Sequence, residues 1–451
     1  MLVHSDTIAA LATPVGTAAL AVVRASGPSV PDLTRSIFAQ LPAARAATHA
    51  DYRDIQGQLL DDVVFTYFAA PNSYSGEDIV EISCHGNPFI AQKILEDLFG
   101  RGCRPAEAGE FTKRSFLNGR LDLSQAEAVM DLIHARSERA LTAANQQLKG
   151  SLGRHMDGLI AKVLVILAQL EAYIDFPEED LPPEDKTGVI SALDDLLGST
   201  RQLSATSRYG TVLRDGLRTV IVGEPNAGKS SLLNRLVGHD RALVSPEPGT
   251  TRDYLEEGIA LGPHYLRLID TAGLNPAATA LEEQGIRKTF EQAATADLFL
   301  WVIDSARGLP VLPPKLMATM TPANTLVVLN KIDLVKNNNA ADFAVPFPSV
   351  RTSAVSGAGL DQLKQEIIRV AESIRLDIGD ELIAINARHA RSLDRAIQAL
   401  ESVGEKLRDC SPIELIASDL REALDCFGEI SGRVDNERLL DTLFAKFCIG
   451  K

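Results

Sequence analysis

The octapeptide Gly223-Glu224-Pro225-Asn226-Ala227-Gly228-Lys229-Ser230 sets two glycines around a tight bend and ends on an ammonium and a hydroxyl. That set suits a polyphosphate. The glycines let backbone amides approach an anion closely, Lys229 adds a point charge at β- and γ-phosphates, and Ser230 can ligate Mg²⁺. The apolar, β-branched run 217–222 before the bend predicts a buried strand, and Ser231-Leu232-Leu233-Asn234-Arg235-Leu236 after it predicts the first turns of a helix. Strand, glycine-rich loop and helix in that order are the setting a phosphate-binding loop of this pattern requires.

Three further segments name the base and the reaction. Leu268-Ile269-Asp270-Thr271-Ala272-Gly273 predicts a strand ending in an acid that can act on Mg²⁺ through water, then a turn whose Gly273 amide suits a γ-phosphate. The apolar run 325–329 leads into Asn330-Lys331-Ile332-Asp333. A carboxylate at Asp333 can accept both N–H groups of guanine's Watson–Crick edge, whereas adenine presents an acceptor there. Arg351-Thr352-Ser353-Ala354 can close over the base, and Thr251, within Gly249-Thr250-Thr251-Arg252-Asp253, is placed to reach Mg²⁺ and the γ-phosphate. The motifs in this order mean GTP.

Two positions depart from the common pattern. Where Ras-type GTPases carry a water-orienting glutamine, this chain has Leu274, so another group must position water; Glu282 and Glu283 are the nearby acids. Asn226 lies in the phosphate loop, where its side-chain oxygen can ligate a monovalent cation that supplies the charge an arginine finger gives elsewhere. Plain loop geometry also accounts for an asparagine there.

These residues need a large scaffold. The chain has 451 residues, 45% apolar and 23% charged, which predicts about three globular domains. No apolar run approaches the ~20 residues that span a bilayer, and the N-terminus lacks the basic and apolar regions of a signal peptide. Five scattered cysteines without a Cys-x-x-Cys pair suggest a reducing cytoplasm, and Cys84-His85 lacks two further ligands at metal-binding spacing. A net charge of −15 argues against a wholly basic nucleic-acid binder. Arg101, Arg104, Lys113, Arg114 and Arg120 form the best local basic segment, either an RNA-facing patch or a solvated edge.

Periodicity divides the chain. Residues 1–119 carry short strand-like runs at 18–24, 63–68 and 79–82, separated by turn clusters, with a helix over 89–99. From Leu121 apolar residues recur every three or four positions, and the same pattern returns after the GTP segment at Leu393, Ile397, Leu400 and Leu407. Each helical half has an apolar stripe it cannot bury alone. Packing 121–210 against 380–447 solves that, and makes the GTP segment an insertion whose ends lie close together.

The whole chain resembles the MnmE (TrmE) family. The residues that carry the resemblance are Asp6–Pro14, Val23–Gly27, Ser73-Tyr74-Ser75-Gly76-Glu77-Asp78, His85-Gly86, Leu117-Asn118-Gly119-Arg120-Leu121-Asp122-Leu123-Ser124-Gln125-Ala126-Glu127-Ala128, and the terminal Phe447-Cys448-Ile449-Gly450-Lys451. It implies a multidomain α/β chain. An N-terminal α+β folate-binding-like and dimerisation domain covers 1–119. A helical bundle follows in two parts, 120–213 and 379–451. A Ras-like P-loop G domain, 214–378, is inserted into that bundle.

The resemblance further implies a homodimeric, cytoplasmic enzyme that binds GTP and GDP, works with the flavoprotein MnmG as a heterotetramer, and acts on tRNA without a membrane. It would modify C5 of the wobble uridine with an aminomethyl or carboxymethylaminomethyl group. 5-Formyltetrahydrofolate or a related tetrahydrofolate would supply the carbon. Folate contacts map onto Arg24, Glu81, Arg120 and Lys451; the arginine at 120 departs from a frequent lysine and keeps charge but not geometry. On residues alone, Glu81 would be a solvent-facing carboxylate.

Potassium ligands map onto Asn226, Ser245, Glu247 and Thr250, Mg²⁺ ligands onto Ser230 and Thr251, and the water-orienting acid onto Glu282. The nucleotide contacts expected are Asn226, Ala227, Gly228, Lys229, Ser230, Ser231, Ser245, Glu247, Thr250, Thr251, Asp270, Thr271, Ala272, Gly273, Asn330, Lys331, Asp333, Ser353 and Ala354. Cys448 is either a nucleophile or a small residue packed near the folate site. Two other classes fit the GTP motifs. One is a non-catalytic GTPase switch or scaffold in ribosome or tRNA assembly. The other is a membrane-remodelling GTPase, which the absence of a basic amphipathic helix opposes.

Overall fold

The computed structural model describes residues 6–175, 186–239, 256–270, 293–307, 309–335, 345–373, 383–409, 411–432, 440, 443–445 and 447–450. They form two units, one of Met1–Met130, Leu152–Asp157 and Phe427–Lys451, the other of Asp131–Ser151 and Gly158–Cys426.

The first unit is built on strands β1 (Ile8–Leu11), β2 (Leu20–Ser26), β3 (Ala47–Arg53), β4 (Leu59–Phe68), β5 (Ile79–His85) and β6 (Arg104–Pro105), in the order β3-β4-β5-β2-β1-β6. All neighbours are antiparallel except β1 and β6. Alternation sorts the two faces. Val23, Ala25, Val63, Phe65, Val80 and Ile82 are buried in a core with residues of helices α1 (Val30–Phe38) and α2 (Pro88–Gly100). Phe38 stacks on Phe65 with ring centroids 3.8 Å apart. Arg24 and Glu81 alternate with those residues and pair across β2 and β5 on the other face. The C-terminus belongs to this unit. Phe444 and Phe447 pack with Phe116, Leu123 and Ala126, and Ile449 forms a bridge with Ala108.

In the second unit the sheet order is β12-β11-β10-β7-β9-β8: β7 (Leu217–Val222), β8 (Glu256–Leu261), β9 (His264–Asp270), β10 (Leu298–Asp304), β11 (Thr325–Asn330), β12 (Ser349–Arg351). All neighbours are parallel except β8 and β9. β10 and β11 are buried along their whole length, as a sheet covered on both faces requires. β7 sits where the strand order reverses, so its carboxyl end opens the crevice in which such sheets bind ligands.

Helix Lys186–Ala205 runs along helix Ala387–Arg408, with an Arg201–Glu401 ion pair and a Ser204–Asp394 hydrogen bond between them. The chain before β7 and the chain before helix Ala387–Arg408 lie together: Arg214 Nη1 donates to Ile385 O at 3.4 Å, and Tyr209, Leu213 and Ala384 share one cluster. No helix among the described residues is long and apolar enough to cross a membrane.

The basic segment 101–120 is not the patch its sequence suggests. Arg101 pairs with Asp97 at 2.7 Å, Arg104 with Asp6 and Glu110, and Arg114, 1% exposed, with Asp6, Glu77 and Glu110. These arginines are neutralised by the nearby Asp97 and Glu110 and by the distant Asp6 and Glu77, and only Arg120 among the five basic residues stands exposed. The structure therefore withdraws this segment as an RNA-facing surface.

Candidate functional site

The phosphate loop leaves β7 at Gly223 and enters helix Lys229–His239. Lys229, 6% exposed, donates from Nζ to the carbonyls of Gly223 and Glu224, both at 2.8 Å, so its ammonium is held at the mouth of its own loop. Asn226 takes a left-handed φ of 63° and is exposed. Asparagine tolerates that region better than most residues, so backbone geometry alone gives a reason for it. Gly228 has φ of 94°, and a Cβ there would stand 2.3 Å from Asn330 Nδ2. The loop thus needs glycine for its own conformation and for the approach of the base-binding motif. The exposed Ser230 and Ser231 lie at the start of that helix, where N–H groups and dipole favour an anion.

Asn330, 1% exposed at the end of β11, joins the loops. Its Nδ2 donates to Ala227 O at 2.9 Å and its Oδ1 accepts from the Ala354 amide at 3.0 Å. Ser353 Oγ donates to Asp333 Oδ1, which orients an otherwise exposed carboxylate. Ala227, Asn330, Asp333, Ser353 and Ala354 are therefore one connected assembly at the carboxyl ends of β7, β11 and β12. Lys331 has φ of 64°, and its Nζ reaches Asp304 Oδ2 at 2.8 Å. Asp304 was not among the expected residues. Its signal is the acid closing Leu298-Phe299-Leu300-Trp301-Val302-Ile303-Asp304, directly across the ladder from Asn330.

Ser245, Glu247, Thr250, Thr251, Thr271, Ala272, Gly273, Leu274, Glu282, Glu283 and Lys451 lie outside the described residues, as does the side chain of Asp270 at the end of β9.

A second constellation lies in the first unit. Arg24 donates to Glu81 Oε1 from Nε at 2.9 Å and from Nη2 at 2.6 Å, and from Nη1 to Gly450 O at 3.3 Å. Its guanidinium centre is 5.5 Å from the ring centroids of both Tyr74 and Phe111. Glu81 is thus held in an ion pair, where the sequence alone suggested a solvent-facing acid. Gly450 has φ of 97°, and a Cβ there would stand 2.3 Å from Leu11 O. Arg120 is exposed and lines an open cavity of about 560 Å³ with Phe116, Leu117, Asp122 and Gln125. The 74–77 turn connects these features. Tyr74 lies against Arg24, and Arg120 Cγ stands 3.2 Å from where a Cβ on Gly76 would be.

The arrangement offers an arginine–carboxylate pair whose guanidinium is backed by Tyr74 and the buried Phe111, suited to a ligand edge that carries both donors and acceptors. Cys448 is exposed, and its carbonyl accepts from the Gly109 amide at 3.3 Å. Cys84 is buried, and burial together with Asp61 pushes its thiol up to about 11.

Comparison with known proteins gives full-length matches. Residues 7–120 match the family model of the GTP-binding protein TrmE N-terminus, and residues 123–448 that of the MnmE helical domain. The tRNA modification GTPase MnmE of Opitutus terrae is 56% identical over 447 residues, covering 99% of both chains. That of Akkermansia muciniphila is 43% identical over 453 residues, again covering 99% of both.

Proposed function

This chain belongs to the MnmE family of tRNA modification GTPases, and on that premise we propose that it is a potassium-activated GTP hydrolase that drives C5 modification of wobble uridine with a folate-derived carbon. The flavoprotein MnmG is its proposed partner, tRNA its substrate and a second copy of the N-terminal domain its dimer mate. The observation that carries the folate part is the Arg24–Glu81 pair, walled by Tyr74 and Phe111 and touched by the C-terminal Gly450 carbonyl. Glu81 can accept N–H groups of a pterin edge and Arg24 can donate to its oxygens, while Tyr74 and the fully buried Phe111 pack on the Arg24 guanidinium and hold it in place. Arg120 and Lys451 would complete the contacts to the pterin and the formyl group.

Isothermal titration of 5-formyltetrahydrofolate tests this. Wild type is expected to bind, and Arg24→Ala to lose at least about 30-fold in affinity, the size of one lost charge-assisted contact with its ring packing. No binding by wild type would favour the non-catalytic switch.

The GTP part rests on the loop assembly tied by Asn330. Ser230 and Thr251 would hold Mg²⁺, which offsets charge on the leaving phosphates. Asn226, with Ser245, Glu247 and Thr250, would hold potassium near the γ-phosphate edge; the exposure of Asn226 leaves its side chain accessible for that. Glu282 would orient water where Leu274 cannot. Glu282→Ala is therefore expected to bind GTP normally and to lose about 10²–10³ in turnover. An unchanged single-turnover rate would remove Glu282 from the mechanism.

We propose one turn as the place where nucleotide state couples to the helices. Arg139 N donates to Pro263 O in the β8–β9 turn, Arg139 Nη2 donates to Glu372 Oε1 at 2.9 Å, and His264 Nε2 lies 3.0 Å from the same oxygen. In sequence, β8 follows the segment carrying Thr251 and β9 ends at Asp270, which supports this turn as the proposed link between the expected nucleotide contacts and the helices.

A further inference from the structure

Lys331 and Asp304 form an ion pair whose geometry does more than neutralise charge. β10 and β11 run parallel, with Asp304 opposite Asn330. Lys331 leaves the strand with φ of 64°, and its ammonium is fixed on Asp304 Oδ2 at 2.8 Å. Asp304 is itself held: Oδ1 accepts the Ala306 amide at 3.0 Å, and Arg307 Nε lies 3.7 Å from Oδ2. Between its two anchors the Lys331 stem passes the phosphate loop, with Cε 3.9 Å from where a Cβ on Gly228 would stand. Asp333, which offers its carboxylate to a base edge, is two residues further along the same turn. The methylenes of Lys331 therefore lie on the route from phosphate loop to base edge, with their rotamers already chosen.

We propose that Asp304 is a positioning residue for the nucleotide: by pinning the ammonium of Lys331, it holds that stem as a preformed apolar wall for the flat face of the purine. This rests on the guanine-binding role of Asp333. A lysine stem released from Asp304 must be ordered again each time a nucleotide binds, which weakens binding without touching the hydrolytic chemistry. The wall meets the ring face, not its edge, so it acts equally on purines that differ only at the edge.

The test measures KM and kcat for GTP and for ITP, which lacks the exocyclic amine, in wild type, Asp304→Ala, Lys331→Met, the double variant and Asp333→Asn. Asp304→Ala is expected to raise KM about tenfold for both nucleotides with kcat retained, the signature of lost uniform binding. In the Lys331→Met background, which keeps an apolar stem without charge, the second substitution is expected to add less than twofold. Either an unchanged KM in Asp304→Ala or an equal additional loss in the Lys331→Met background overturns the proposal. Asp333→Asn separates the underlying base assignment: if it leaves the GTP-to-ITP preference intact, the base reading fails, whatever Asp304 does.

Discussion

Asp333→Asn is expected to lower GTP affinity by about 10²–10⁴-fold and to make xanthosine triphosphate the preferred ligand. Two charge-assisted hydrogen bonds, each about 1.5–3 kcal/mol, depend on the carboxylate accepting from guanine N1–H and N2–H. Ser353 Oγ already donates to Oδ1, which fixes the plane of the group. An amide at 333 sets an NH₂ against a guanine donor. Xanthine carries a C2 carbonyl in place of the amine, so the same NH₂ finds an acceptor. Competition titration with the two nucleotides reads the switch directly. GTP affinity within tenfold of wild type would remove Asp333 as the base-reading residue.

Arg114→Met is expected to destabilise the first unit by about 3–5 kcal/mol, because it strands several acids that Arg114 now neutralises. Arg114 is 1% exposed and donates to Glu110 Oε1 at 2.9 Å, to Asp6 Oδ1 at 2.9 Å and to Glu77 at 3.2 Å. Amide hydrogen exchange across helix Glu110–Leu117 is expected to accelerate about 10²-fold or more. Unchanged protection would show that water enters and solvates these acids.

The same network sets a pH dependence. Burial works to raise the carboxyl of Glu110, but hydrogen bonds from Arg104, the Glu107 amide and Arg114 outweigh it and hold the group below its ordinary 4.5. Asp6 is likewise lowered from 3.8: burial opposes, and Arg104 and Arg114 prevail. A carboxyl depressed in the folded state stabilises fully above its unfolded value, and that stability is lost as pH falls through the folded value. Protection in this unit is therefore expected to hold from neutrality to about 4.5 and to decline below it.

The strand–loop–helix order around residues 223–230 was legible because its demands are local. Gly228, Lys229 and Ser230 must follow one another for a loop to wrap a phosphate, and Asn330 and Asp333 share one turn after a buried strand. Asp304 was not legible, because nothing local marks an acid at a strand end as the partner of a lysine 27 positions later. The arginines of 101–120 misled for a related reason. Counting charges along the chain registers Arg104 and Arg114 but not Asp6, more than 90 residues before either. β3 escaped notice because only Tyr52 of Ala-Thr-His-Ala-Asp-Tyr-Arg is buried, so an edge strand showed no apolar alternation. The terminal Phe444 and Phe447 pack within the first unit on Leu123 and Ala126. That contact also brings the tail to Gly109 and Arg24, which no periodicity announces.

Nucleoside mass spectrometry of tRNA incubated with this protein, MnmG, GTP and a tetrahydrofolate carbon donor tests the central claim most directly. The account predicts a C5-aminomethylated wobble uridine in potassium. It predicts little product in sodium, with a non-hydrolysable GTP analogue, or with Arg24→Ala. Product formed equally with the non-hydrolysable analogue, or the absence of product with every component present, would contradict it.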